Sequence, residues 1–412
     1  METDTSHESR TLTLIPVAAV LGASIGLIAA GFIWLVVHLK DIVWPEHGYS
    51  DNRILIVAVC VAGGFLVGIM NILTERHRKA AYDLNEAFAE ATGTDVSVPP
   101  STRIIASRTA LGITSLGFGA PLGPEAPLIA LATHLSSRLA RVLRISREQA
   151  VNISLAGALG ALFAAPLVAI AVEGEVAKVK PSVVERAKSM GPEIIAAVVA
   201  FVVFLKLLPE SNNHPFEAPG SVDPGIGIDL LWCAIAALLA SGVGRMTDFL
   251  IPLARRFAIE RIPGGAISIG VASGAVLGAG ALVTPVILYS GHHETQVLLD
   301  GGHTTAQLIG LSLLKVVMVV VCLAGGWFGG QIFPLAFSGA AIALAFGQTV
   351  DSQATLALAA SGYVAACVVN LRKPILVLVI FMFLFPASTW LSMAISMAIA
   401  SLVMSKEVKA DH

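Results

Sequence analysis

Apolar runs too long for a soluble core decide what this chain can become. One extends from Leu12 to about Val43 and another from Ile226 to Phe257, where about 20 apolar residues already carry an α-helix across a bilayer. Shorter apolar segments follow one another along the rest of the chain: Ile54–Leu73, Ile104–Phe118, Ala126–Leu143, Ala150–Val172, Ile194–Leu208, Ala266–Leu288, Ala306–Leu323, Phe333–Phe346, Ala354–Val369 and Ile375–Met404. Only 13% of the 412 residues are charged, against roughly a quarter in soluble domains. No water-facing surface can be assembled from so few charges, so the solvent is lipid. Lipid offers the backbone no hydrogen bonds, and segments of helical length satisfy that condition internally. The fold class expected is therefore all-α, a polytopic membrane protein partnered by the bilayer. The polar start, Met1 to Thr11, has no signal-type basic region, and the run after it is too long for a signal core, so it is expected to remain as a membrane helix. Thirty-eight glycines suit helices that pack by close backbone approach.

Several function classes fall away. Net charge is −2 and no basic run is long enough to track a nucleic acid. Cys60, Cys233, Cys322 and Cys367 sit in apolar stretches without CxxC spacing and read as small buried hydrophobes. No nucleotide-binding GxxxxGK[ST] is present, which argues against ATP drive. No cofactor is expected. Ser290-Gly-His-His-Glu-Thr, with Asp300 and His303 nearby, lacks HExxH or another recognised ligand spacing, so a polar re-entrant loop is the preferred account. An intramembrane metalloenzyme using His292, His293 and His303 is the rival from another class; the chain is not expected to be an enzyme.

The apolar segments form two series. Residues 12–208 make one, residues 226–404 the other, with a polar connection at 209–225 and polar ends at 1–11 and 405–412. In the first series, residues 80–101 read as the clearest long loop. Gly123-Pro-Glu-Ala-Pro127 opens one apolar helix, and Gly330-Gln-Ile-Phe-Pro334 opens another about 207 residues later. The run from Leu155-Ala-Gly-Ala-Leu-Gly to Pro166 has a counterpart from Ala359-Ala-Ser-Gly-Tyr to Pro374 at nearly the same offset. Paired halves with Gly/Pro-interrupted helices at corresponding positions point to the substrate site of a transporter.

The two helix starts carry the chemistry. Pro124 has a φ suited to a first helical position, and free N–H groups with the helix macrodipole behind them make an anion site. Glu125 is a carboxylate at that positive end, and an ionisable group at membrane depth is a functional hypothesis by default. Ionised, it can occupy the site as a tethered anion; protonated, it can yield to a mobile one. Around Gly330, glycines on the approach let backbone line the path, and the amides from Gln331 to Phe333 are candidate anion ligands.

These motifs resemble a known family. Leu111-Gly-Ile-Thr-Ser-Leu-Gly to Gly123-Pro-Glu-Ala-Pro127 is similar to the GREGP helix start of the CLC chloride channels and proton/chloride antiporters. Gly330-Gln-Ile-Phe-Pro334 resembles their GIFAP segment, and Leu155-Ala-Gly-Ala-Leu-Gly-Ala-Leu-Phe-Ala-Ala-Pro166 the stretch ending in N-A-P-L. The resemblance extends more loosely from about Leu12 to Met404. It implies two inverted repeats with tilted, broken and re-entrant helices, and a homodimer with one pore per subunit in a cell membrane, of the bacterial inner type. It makes Glu125 the gating glutamate and, in an antiporter, a proton carrier. Gly123, Ala126, Gln331, Ile332 and Phe333 would line the anion site. Chloride is the ion implied; fluoride and nitrate stay open.

Departures from the family bear on selectivity and coupling. Pro124 stands where the family has Arg, and it has no N–H to offer. The GSGIP segment that supplies a serine hydroxyl is absent as such, with Ser97 the nearest stand-in. The residues after Met404 are too few for the helix that brings a pore tyrosine in the family, so no such tyrosine is expected. For an inner proton acid, direct register puts Glu175 on the first residue of the family's Glu pair and Val176 on the second. Glu175 serves after a one-residue slip, or Glu173, Glu175, Lys178 and Lys180 form a solvated helix end. Proton-coupled exchange and a passive anion channel both remain.

Overall fold

The computed structural model describes residues 2–44, 52–74, 84–92, 102–163, 165, 168, 191–208 and 215–408. Its helices are α1 (Glu2–Val43), α2 (Arg53–Thr74), α3 (Leu84–Thr92), α4 (Thr102–Gly117), α5 (Glu125–Leu143), α6 (Arg147–Phe163), α7 (Gly191–Leu207), α8 (Ile228–Arg261), α9 (Gly265–Val283), α10 (Glu294–Leu299), α11 (Thr305–Ala324), α12 (Ile332–Thr349), α13 (Thr355–Leu371), α14 (Pro374–Met382) and α15 (Trp390–Val408). Among the described residues, the β pairing consists of one isolated bridge, Gly123 with Gly330. Among the described residues, seven helical segments, within α1, α2, α8, α9, α11, α12 and the stretch Ala387–Ser405, are long and apolar enough to cross a bilayer. Large apolar side chains such as Val276, Leu239 and Leu402 stand outward on them, as a lipid solvent allows.

Among the described residues, two apolar runs are interrupted at proline. The final one stops at Met382 and resumes at Trp390, because the residue before Pro386 is steered out of the helical region. The carbonyl of Leu384 in that break accepts from the Phe216 amide at 2.8 Å, a bond that lipid could not supply. The run Ala266–Leu288 ends as a helix at Val283 and passes through a 3-10 turn at Pro285–Ile287. In the run from Ala150, the described helix is Arg147–Phe163. The expected long loop at residues 80–101 instead contains α3, nine residues with a buried Ala87 and Phe88; those two apolar residues on one short face were outweighed by the polar ones around them. The polar patch from Ser290 likewise holds α10.

The chain forms two compact units. In the first (Met1–Leu35, Asn85–Thr109, Glu125–His214), α1, α6 and α7 pack through small residues. Ala18, Leu21, Ile153 and Ala196 form a buried cluster there, and a Cβ on Gly22 would sit 2.5 Å from the Ala196 carbonyl oxygen. Side chains of ordinary size cannot enter such a contact.

In the second unit (Val36–Leu84, Ala110–Pro124, Pro215–His412), α12 is the core: 78% of its apolar window is buried. It runs against α13 at Gly339 and Gly362, where a Cβ on either would come 2.2 Å from the other's carbonyl oxygen. Helices α2 and α9 cross in the same reciprocal way. A Cβ on Gly64 would lie 2.0 Å from the Gly270 oxygen and one on Gly270 2.2 Å from the Gly64 oxygen, with Cys60 against Gly274 and Gly68 against Ile267. Contacts that map onto each other when the two helices are exchanged mark a local two-fold relation.

Hydrogen bonds at the ends of α4 and α11 repeat one another at an offset of 207 (330 less 123). Phe118 N–H bonds Thr114 O and Gly325 N–H bonds Val321 O; Gly119 bonds Leu116 as Gly326 bonds Leu323; Ala120 bonds Ser115 as Trp327 bonds Cys322. Gly119 and Gly326 both take left-handed φ, 87° and 82°, a region glycine enters without penalty. Two buried cations obey the same offset: Arg108, 8% exposed, and Lys315, wholly enclosed.

Candidate functional site

Two equivalent turns meet at the bridge. Gly123 N–H donates to Gly330 O at 2.7 Å, and Gly330 N–H returns the bond to Gly123 O at 2.7 Å. Each turn delivers the chain to a helix start. After Gly330, Gln331 is the N-cap of α12 and Ile332 and Phe333 its first residues, all buried. After Gly123 and Pro124, helix α5 begins on Glu125 and Ala126, both 0% exposed. Pro124, expected at the first helical position, lies just before the helix instead. Gly123 makes the backbone pairing, and a carboxylate occupies the first position of the helix, where the macrodipole favours negative charge.

At α12 the N-cap side chain does not close the helix start. Gln331 Nε2 instead donates sideways to Asn370 Oδ1 on α13 at 2.9 Å, and Asn370 Nδ2 donates to Asp248 Oδ1 on α8. Cys367, one turn before Asn370, donates from Sγ to Ile332 O at 3.2 Å. The last turns of α13 therefore lie along the first turn of α12.

The loop 289–294 covers another face of the same helix. The His292 ring packs 4.7 Å from the Phe333 ring and 5.5 Å from that of Phe216. Burial, helped by neighbouring His293, pushes the His292 imidazole down to about 3, so it is a neutral ring at any physiological pH. Beside it, Lys315 Nζ donates to the carbonyls of Val286, Ile287, Leu288 and Tyr289 at 3.3, 3.1, 3.1 and 2.9 Å. That ammonium gathers the carbonyls of the interrupted α9–α10 connection, which the membrane could not solvate. Glu294 lies within Coulombic reach of both Lys315 and Lys40.

Of the residues expected from sequence, the second unit brings Gly123, Gln331, Ile332 and Phe333 together, while Glu125 and Ala126 open α5. Ser97, Glu173 and Glu175 lie outside the described residues. Asp248, Asn370 and Lys315 were missed by sequence reading. A lone Asp or Lys inside a long apolar segment was the available signal, but nothing in the sequence said which partner each would meet. Among the described residues no three His, Cys, Asp or Glu side chains group to hold a metal. His292 packs among aromatic rings, and the His303 carbonyl accepts from Gln348 at 2.8 Å.

Comparison with known proteins bears on this arrangement. The "Putative ion-transport protein YfeO" of Escherichia coli (strain SMS-3-5 / SECEC) is 26% identical over 356 residues, covering 84% of this chain and 81% of that relative. Its Shigella flexneri counterpart is 26% identical over 358 residues, with the same coverage. A slow cyanobacterial Cl⁻/H⁺ antiporter superposes with a TM-score of 0.80 at 17% identity, over 96% of this chain and 94% of the other. A CLC-type fluoride/proton antiporter gives 0.75 at 18% identity, over 95% of both. A eukaryotic CLC transporter gives 0.72 at 17%, over 96% of this chain and 72% of that one. The sequence profile of the family described as "Voltage gated chloride channel" matches residues 77–405. A multi-pass, all-α chain with inverted repeats, it belongs to the voltage gated chloride channel family, whose members are transporters and channels rather than enzymes.

Proposed function

We propose that this chain moves small inorganic anions across a cell membrane, with chloride the first candidate. The observation that carries the reading is Glu125: a carboxylate with no exposed surface, at the first position of a helix, two residues after a glycine that pairs with its repeat counterpart. In this reading Glu125 closes the path when ionised and opens it when protonated. The backbone at Gly123, Ala126, Gln331, Ile332 and Phe333 replaces water around the anion, so that fixed dipoles take over from a hydration shell. By sequence alone, Ser97 is the candidate hydroxyl ligand and Glu175 the candidate inner proton acid. The working unit is a homodimer with one path per subunit, built from the repeats 12–208 and 226–404, and the membrane is of the bacterial inner type.

Fluoride is the second reading, supported by the fold shared with a fluoride/proton antiporter. Both antiporters among the fold neighbours favour exchange with protons; passive flow is the rival, supported by Val176 at the register of the family's proton carrier. Pure protein in liposomes loaded in turn with chloride, nitrate and fluoride tests the substrate. Chloride efflux above that of protein-free vesicles is expected. Fluoride efflux without chloride efflux selects the second reading, and no efflux of any of the three removes the transport assignment.

A further inference from the structure

The chain of side chains from Asp248 through Asn370 to Gln331 has a direction, and one end fixes it. An ionised carboxylate only accepts hydrogen bonds. Asn370 must therefore turn its NH2 toward Asp248, as it does, which leaves Asn370 Oδ1 to face Gln331. Gln331 must then present its own NH2 to Asn370, at 2.9 Å. Its carbonyl, Oε1, is left over at the N-cap of α12, buried and without a hydrogen-bond partner among the described residues. An orphaned acceptor on a residue only 1% exposed costs free energy, and its position at a helix start gives it a ligand to face.

Resting on the anion-transport reading above, we propose that Asp248 and Asn370 are positioning residues that set, through the protonation of Asp248, whether Gln331 offers an acceptor or a donor to the anion at α12. With Asp248 ionised, Oε1 points at the site and opposes an anion. With Asp248 protonated, its O–H donates to Asn370 Oδ1 once that amide turns over. Asn370 then donates to Gln331 Oε1, and the Gln331 NH2 takes the place the carbonyl held. The proton stays on Asp248 throughout; no amide carries it. Proton uptake at α8 and anion binding at α12 are thereby linked with a net charge change of zero.

Ionisable neighbours place the switch on the pH axis. Arg245 stands three residues before Asp248 on α8, and Arg255 two turns beyond it; Arg372 and Lys373 follow Asn370 at the end of α13. Helix α13 itself carries Tyr363 and Cys367, α11 carries Lys315 and Cys322, and α15 carries Lys406 and Glu407 at its end, whereas α9 and α12 carry no ionisable side chain.

The test is chloride binding by calorimetry on the full-length purified protein from pH 4.5 to 8, in a Glu125→Gln background that removes the gate's own titration. Affinity is expected to rise about tenfold toward acid pH, the size of one hydrogen bond to a charged group at roughly 1.4 kcal/mol per decade. Asp248→Asn, which can face Asn370 either way, should bind tightly with a flat profile, and Asn370→Leu should be flat because the chain is cut. Asp248→Glu keeps a titrating acid and should restore the slope; it decides the matter if Asp248→Asn does not fold. A slope unchanged in Asp248→Asn or in Asn370→Leu, or absent from the parent while chloride binds, overturns the switch and leaves the transport reading standing. No chloride binding by the parent at any pH, together with no efflux, overturns both.

Discussion

At the scale of single residues, buried charges stand where backbone groups need them. Lys315 is enclosed completely, yet its ammonium, with three protons, is shared among four carbonyls of residues 286–289. Truncation to an apolar side chain strips those acceptors of their donor. Lys315→Met is expected to destabilise the protein by about 1–3 kcal/mol, the cost of leaving buried polar groups unmet. Thermal unfolding in detergent would show it as a lower midpoint, with Lys315→Arg intermediate. An unchanged midpoint would mean the carbonyls find another donor. Residue-scale legibility was uneven for a physical reason. Glu125 and Gln331 announce themselves because Gly and Pro beside them force a turn and a helix start. Asp248, Asn370 and Lys315 owe their roles to partners more than 20 residues away, which no local pattern records.

At the scale of helices, steric room decides. Helices α2 and α9 approach until backbone touches backbone at Gly64 and Gly270. Gly64→Leu is therefore expected to abolish the folded protein, read as loss of the monodisperse peak on size exclusion. Gly242, on an exposed face of α8 with nothing within 4 Å of a would-be Cβ, supplies the control: Gly242→Ala should behave as the parent does. A tolerated Gly64→Leu would contradict the crossing. Most helices were legible as apolar runs, because length and hydropathy are local properties. Where the runs stop was less so. The break at residues 383–389 hides inside an apolar run, where one of its carbonyls, Leu384 O, is met by the Phe216 amide, distant in sequence. Helix α3 was hidden in the opposite way, by the polar residues around Ala87 and Phe88.

At the scale of the whole molecule, the repeat is the organising fact. An offset found in two short motifs recurs in three pairs of backbone hydrogen bonds, in two left-handed glycines and in two buried cations. Such agreement was visible in the sequence only where the repeats kept their glycines and prolines; elsewhere the backbone geometry is shared and the side chains are not. The central claim is that a buried glutamate at one of the two matched helix starts governs an anion path. The most direct measurement records anion efflux and proton movement together in proteoliposomes, for the wild type and for Glu125→Gln. Anion efflux is expected in both, steeply pH-dependent in the wild type and, in Glu125→Gln, with only the weaker dependence that Asp248 sets. Where protons move with the anion in a fixed ratio, that movement should vanish in the variant. A Glu125→Gln protein with the wild type's pH dependence and proton ratio would contradict it.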